Sequence, residues 1–206
     1  MIDNFALLGQ ARRPWLDVEI LKGSFLALSS QVHPDRVHSV SGADTQAASV
    51  RFAELNAAYQ CLREPRIRLQ HLLELERGSK PGGIERTPAE AMELFMQVGQ
   101  LCREVDGFLD EREKTASPLL KARLFERGME WADKLNQLQR VLGARQTELD
   151  ARLKAMNREW QAAPAIGSSE RPAALALEAL EGVYRELSYL SKWTAQLREC
   201  VVQLSL

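Results

Sequence analysis

The chain has 206 residues and a formal net charge of −1, long enough to bury a real core as one domain or two small ones. The near-neutral balance gives no reason to expect nucleic-acid binding, which needs a basic footprint. No apolar run approaches the length of a membrane span, so neither a nucleic acid nor a membrane is expected as a partner.

In chain order, "MIDNFALLGQ" lacks the charged and apolar regions of a secretory signal and the arginine-rich character of a transit peptide. Phe5 to Leu8 form a short apolar piece, and a helix is predicted from about Asp17 to Gln31 with Leu21, Phe25 and Leu28 on one face. "QVHPDRV" follows at 31–37, and Pro34 disfavours helix at His33, so the chain must turn there. "HSVSGAD" reads as a loop with Asp44 as N-cap of a longer helix, roughly Thr45 to Arg63, carrying Phe52, Leu55, Tyr59 and Leu62. Pro65 suits the first turn of a further helix, "PRIRLQHLLEL".

The stretch "RGSKPGGIER" then breaks the pattern, with two adjacent glycines, a proline and charges. A helix restarts with Thr87 as N-cap, Pro88 at the first position and Glu90 completing a capping box, and runs to about Glu111. "SP" at 117–118 caps another, with Leu135, Leu138, Leu142, Leu149, Leu153, Met156 and Trp160 at near-heptad spacing. After the loop "AAPAIGSSERPA" the last helix carries Leu177, Leu180, Leu187, Leu190, Leu197, Val201 and Leu204. No strand signal occurs, so the chain is read as all-α, its second part an antiparallel bundle of three helices. The segments are 1–76, a linker at 77–86, and 87–206. The three cysteines (Cys61, Cys102 and Cys200) are odd in number and show no CxxC spacing. They read as buried small residues in a reducing compartment, and the expected address is cytoplasmic.

Taken alone, His33-Pro34-Asp35 is also an ordinary helix stop, since Pro-Asp is common in turns. Its surroundings change the weight: a helix, the HPD turn, a polar loop, then "RFAELNAAYQCLREP". Together they resemble a J-domain, an antiparallel helical hairpin closed by an HPD turn. That module switches on the ATPase of DnaK-type chaperones. The remainder, through "REPRIRLQHLLEL", "ELFMQVGQLCREVD" and "RELSYLSKWTAQL", resembles the HscB-type co-chaperones of iron–sulfur cluster assembly. There a J-domain is joined to a three-helix domain that holds an IscU-type scaffold protein.

The resemblance implies that His33, Pro34, Asp35 and Arg36, with Lys22 on the preceding helix, meet a DnaK/HscA-type ATPase, Asp35 pairing with a partner arginine. J-domains usually carry a basic helix before HPD. Here "DVEILKGSFLALSSQV" offers only Lys22, so electrostatic steering of the encounter is weaker than usual.

A second site follows from helical geometry. Leu94, Val98, Leu101, Val105 and Phe108 make one stripe facing the bundle core, which leaves Met92 and Met96 on the opposite side with Phe95 at their flank. Either another part of the chain covers them, or they form a client-docking patch to which soft methionines are suited. Tyr189 and Trp193 lie off the leucine stripe of the last helix, four residues apart, and packing against a neighbouring helix is the plainer reading of Trp193. The resemblance places Tyr189, Phe95 and Met96 where the family meets its scaffold. Where the family has glutamates and another apolar residue, this chain has Gly99, Gln100, Arg103 and Gly107. Gln100 therefore joins the client-facing set, and a different client, or a non-stimulatory helical adaptor, stays open. His38 and His71 are isolated. No phosphate loop, nucleophile–base pair or metal-ligand spacing appears, so no enzyme, cofactor or metal is expected.

Overall fold

The computed structural model describes residues 1–32, 42–82 and 89–205. Every regular element among them is a helix: α1 Asn4–Leu7, α2 Val18–Gln31, α3 Gly42–Arg63, α4 Pro65–Arg77, α5 Ala89–Lys114, α6 Pro118–Ala162, α7 Arg171–Ala174 and α8 Leu177–Ser205. The HPD turn, Arg36 and the capping-box residues Thr87 and Pro88 lie outside the described residues, as does the side chain of Glu90.

Local chemistry explains several of the helix ends. The Asp3 carboxylate accepts from the backbone N–H groups of Phe5 and Ala6, and Asp17 does the same for Glu19 and Ile20. Each satisfies donors that the first turn leaves unpaired. Pro65 opens α4 and Gly78 closes it at φ 74°, a left-handed conformation that glycine takes without a Cβ clash. Pro118 opens α6 as expected. One cap is corrected: α3 begins at Gly42, so Asp44 sits inside its first turn and is not the N-cap.

The chain divides into two compact units, residues 1–82 with Asp150–Tyr184, and residues 83–149 with Arg185–Leu206. This division differs from one drawn at the 77–86 linker, because α6 and α8 each contribute to both units. In the first unit, Phe5, Leu8, Leu21, Leu55, Leu62, Leu69 and Leu72 are buried, and so are Leu153, Met156, Leu180 and Val183. The Phe25 ring stacks on Tyr59 with centroids 4.5 Å apart, fastening α2 to α3.

Charge fastens the rest of that unit. Glu76, its side chain 3% exposed, takes a two-pronged bond from Arg171 at 2.8 and 3.2 Å and another from Arg12 at 3.2 Å. Arg12 also holds Asp3 at 2.8 Å, and Arg171 donates to the Pro164 carbonyl at 2.7 Å. Arg77 pairs with Glu181. Asn157 exchanges hydrogen bonds of 3.0 and 2.9 Å with the backbone of Trp15, whose ring lies 4.3 Å from the Lys154 ammonium. The Arg68 guanidinium is buried against the carbonyls of Pro14 and Leu62. Burial lowers its pKa to about 10, which still leaves it charged at neutral pH.

The second unit is held by apolar seams. Val98, Cys102, Val105 and Phe108 of α5 are buried, with Leu135, Leu138, Leu142 and Leu149 of α6 and Leu187, Leu190, Trp193, Leu197 and Cys200 of α8. Apart from Cys102, Trp193 and Cys200, which the expected stripes did not include, these are the stripes expected from the heptad-like spacing, with Leu94, Leu101, Val201 and Leu204 partly exposed at their margins. Phe108 meets Trp131, and Glu111 pairs with Arg127, so α5 and α6 run in opposite directions. Phe95 meets Trp193, and Cys102 meets Cys200, both pairs separated by 98 positions. A constant separation means that α5 and α8 run parallel. The unit is an up-down-up bundle.

Candidate functional site

On α5, Met92, Phe95 and Met96 are 42, 49 and 64% exposed. Val98, Val105 and Phe108 behind them have almost no exposure. Three large apolar side chains on an outward face lack the usual reason for being apolar, which is burial. Met92, Met96 and Gln100 follow one another at four-residue intervals along this face. The Gln100 amide donates to Glu104 at 2.9 Å, and Gln97 donates to Glu93 at 3.2 Å, so the polar border of the row is organised within the helix itself.

Helix α8 supplies the floor. Trp193 is 3% exposed, with Tyr189 stacked on it at 5.7 Å and Phe95 tilted against it at 6.3 Å. The three rings form one aromatic cluster bridging α5 and α8, within the range where such pairs add stability beyond area burial. Tyr189 is partly exposed. The packing expected of Trp193 is what the structure shows: its ring lies beneath the surface and holds Phe95 and Tyr189, which do reach it. The structure thus brings Phe95, Tyr189 and Trp193 together and sets Met92, Met96 and Gln100 along the same helix as Phe95.

The glycines of α5 are not demanded by close packing. A Cβ at Gly99 would meet only the end of the Arg103 side chain, at 3.5 Å, and one at Gly107 would meet nothing within 4 Å.

Lys22 is exposed on α2, with Glu19, Gly23, Leu26 and Ala27 also exposed around it. His33, Pro34, Asp35 and Arg36 fall between the end of α2 and the start of α3, outside the described residues. His71 is buried; its Nε2 accepts from the Asn4 backbone N–H at 3.2 Å, and its ring lies parallel to Phe5 at 6.0 Å. It is a packing histidine.

Three features escaped the sequence reading. The Glu76 network joins residues up to 95 positions apart, and no local pattern announces it. The Cys102–Cys200 pair could have been suspected from one signal, since each cysteine lies seven residues after an aromatic of the same seam. A broad groove of about 950 Å³, lined by Phe108, Leu124, Phe125, Met129 and Leu204 among others, opens where α5 ends and α6 begins. Phe125 and Met129 are 71 and 58% exposed there. Among the described residues, no group of three or more His, Cys, Asp or Glu side chains is gathered as a metal site, and no helix is long and apolar enough to cross a membrane.

No family model matches the chain. A co-chaperone protein HscB homolog from Bordetella petrii is 38% identical over 72 residues, a stretch that covers 35% of this chain and 42% of that relative. The chaperone HscB from Vibrio cholerae has a similar structure, with a TM-score of 0.58 and 24% identity over 98% of this chain and 99% of that one. The human co-chaperone protein HscB gives a TM-score of 0.61 at 16% identity, over 97% of this chain and 82% of that one. The fold is therefore that of the HscB proteins along nearly the whole chain: all-α, with an N-terminal J-like part and a helical bundle.

Proposed function

We propose that this protein is a J-domain co-chaperone that stimulates a DnaK/HscA-type ATPase through its HPD turn and delivers an iron–sulfur scaffold protein of IscU type to it. One observation carries the reading: a chain with the HscB fold along nearly its full length keeps His33-Pro34-Asp35 between its second and third helices. The segments 1–76 and 87–206 supply the two functions, joined by the 77–86 linker.

The protein is not the catalyst in this reading. Asp35 pairs with an arginine of the ATPase, His33 and Pro34 hold the turn that presents it, and Arg36 and Lys22 add positive charge beside it. Docking favours the hydrolysis-competent conformation of the ATPase, which is activation by differential binding to two states. Lys22 is the one cation on α2, so the complex depends less on salt than one made by a strongly basic helix. The client seats on Met92, Phe95, Met96, Gln100 and Tyr189, with Trp193 supporting the rings from below. No cofactor or metal takes part, and the place of action is the cytoplasm.

Two measurements separate the parts. In a stimulated-ATPase assay, Asp35→Asn abolishes stimulation with helicity unchanged; loss of helicity would make the turn structural and remove the trigger role. In a calorimetric titration with the scaffold protein from the same organism, Phe95→Ser/Met96→Ser loses the binding that wild type shows. Stimulation without any scaffold binding at high micromolar concentration would keep the co-chaperone and replace the client.

A further inference from the structure

The buried thiols of Cys102 and Cys200 lie 3.2 Å apart, Sγ to Sγ, on the parallel seam of α5 and α8. They sit one heptad beyond the Phe95–Trp193 contact on the same two helices, in the same register. Each is 5% exposed. A disulfide needs its sulfurs at about 2.05 Å, so closure asks for an approach of roughly 1.1 Å, shared between two side chains and two helices.

We infer that Cys102 and Cys200 form a dithiol that a peroxide closes into a disulfide, stapling α5 to α8 next to the aromatic patch. The chemistry balances with hydrogen peroxide alone. One thiol is oxidised to a sulfenic acid and one water leaves. The second thiol then attacks that sulfur, its proton departs with the hydroxyl as a second water, and the S–S bond forms. The two sulfurs together give up two electrons, which reduce the peroxide.

The surroundings set the speed and the durability. Burial, and then the neighbouring Cys200, push the Cys102 pKa up to about 12. At neutral pH the thiol is therefore almost wholly protonated, so closure is slow and does not act as a rapid peroxide sensor. The same burial withholds the finished bond from reductants. A reduced pair that gains nothing from thiolate stabilisation also leaves the disulfide comparatively stable. Cys61 is a built-in comparison: it is a free, partly exposed thiol whose pKa is also raised, chiefly by burial.

The test uses the full chain. The folded protein is incubated with hydrogen peroxide, free thiols are alkylated, and the tryptic peptides are weighed. The expected result is a Cys102 peptide joined to a Cys200 peptide, lighter by two hydrogens, with Cys61 alkylated. Cross-links through Cys61 while Cys102 and Cys200 remain alkylatable, or linkage only in urea, would overturn the inference. Because the bond closes a loop of nearly one hundred residues, thermal unfolding of the oxidised protein should rise by roughly 5 °C or more. A fall would show that closure strains the seam, and the staple would be rejected.

Discussion

The two units hold themselves together by different means. In the first, long-range register is set by buried charge: Glu76 between Arg12 and Arg171, Arg77 on Glu181, and Arg68 against two carbonyls. In the second it is set by leucine stripes and an aromatic cluster, and ion pairs such as Arg127–Glu111 and those of Arg145 with Glu148 and Glu186 involve partly exposed side chains. A buried ion pair adds little net stability over apolar packing, but removing one member strands the other, so it penalises every arrangement except one. An apolar seam contributes more and specifies less. The first unit therefore depends on a few residues, and the second spreads its dependence along three helices.

The largest effect should come from Glu76→Ala. It leaves the buried Arg171 guanidinium without its carboxylate, at a cost of about 3–5 kcal/mol in urea unfolding. Arg12 keeps Asp3 at 2.8 Å, so the double change Glu76→Leu/Arg171→Met strands no charge and should recover most of that loss. A single substitution costing under 1 kcal/mol would show that the network is ornamental, and the comparison between the units would collapse.

A smaller effect probes the second unit. Trp193→Ala removes a ring that is 3% exposed and should cost about 3 kcal/mol, whereas Phe95→Ala, at a side chain 49% exposed, should cost below about 1 kcal/mol. In scaffold titrations both variants should bind weakly, one because the floor is gone and the other because the contact is gone. Equal stability losses for the two would mean that Phe95 belongs to the core and that the patch is narrower than Met92, Phe95 and Met96.

The same contrast explains what could be read from the chain. Leu135, Leu138, Leu142, Leu149, Leu153, Met156 and Trp160 are all buried, because a helix converts spacing directly into a face. Met92, Phe95 and Met96 were legible as misplaced apolar residues by the same rule. The charged junction was not, since Glu76 sits in "LELERG" like any solvated glutamate and its partner Arg171 lies 95 positions away. Asp44 was misplaced because a capping residue and a first-turn acid look alike in sequence. His71 was left isolated because its partner, the Asn4 backbone N–H, carries no side-chain signature.

That histidine supplies the finest probe of the first unit. His71 Nε2 accepts a hydrogen bond from Asn4, and a protonated ring would present a donor to that donor. Burial lowers its pKa below the ordinary value, against the smaller opposing pull of Asp3 and Glu74, while Arg12 pushes the same way as burial. A lowered folded pKa means that the unfolded chain takes up the proton first as pH falls. The contribution of His71 is thus fully present above about pH 7 and is lost as pH drops from about 6.5 through the folded value. The slope from one such group cannot exceed about 1.4 kcal/mol per pH unit. His71→Gln keeps an acceptor for the Asn4 N–H without a titrating ring, so its unfolding free energy between pH 7.5 and about pH 5 should fall less steeply than that of wild type. Identical slopes would mean that His71 titrates alike folded and unfolded, and that only the carboxylate–guanidinium pairs anchor the first helix.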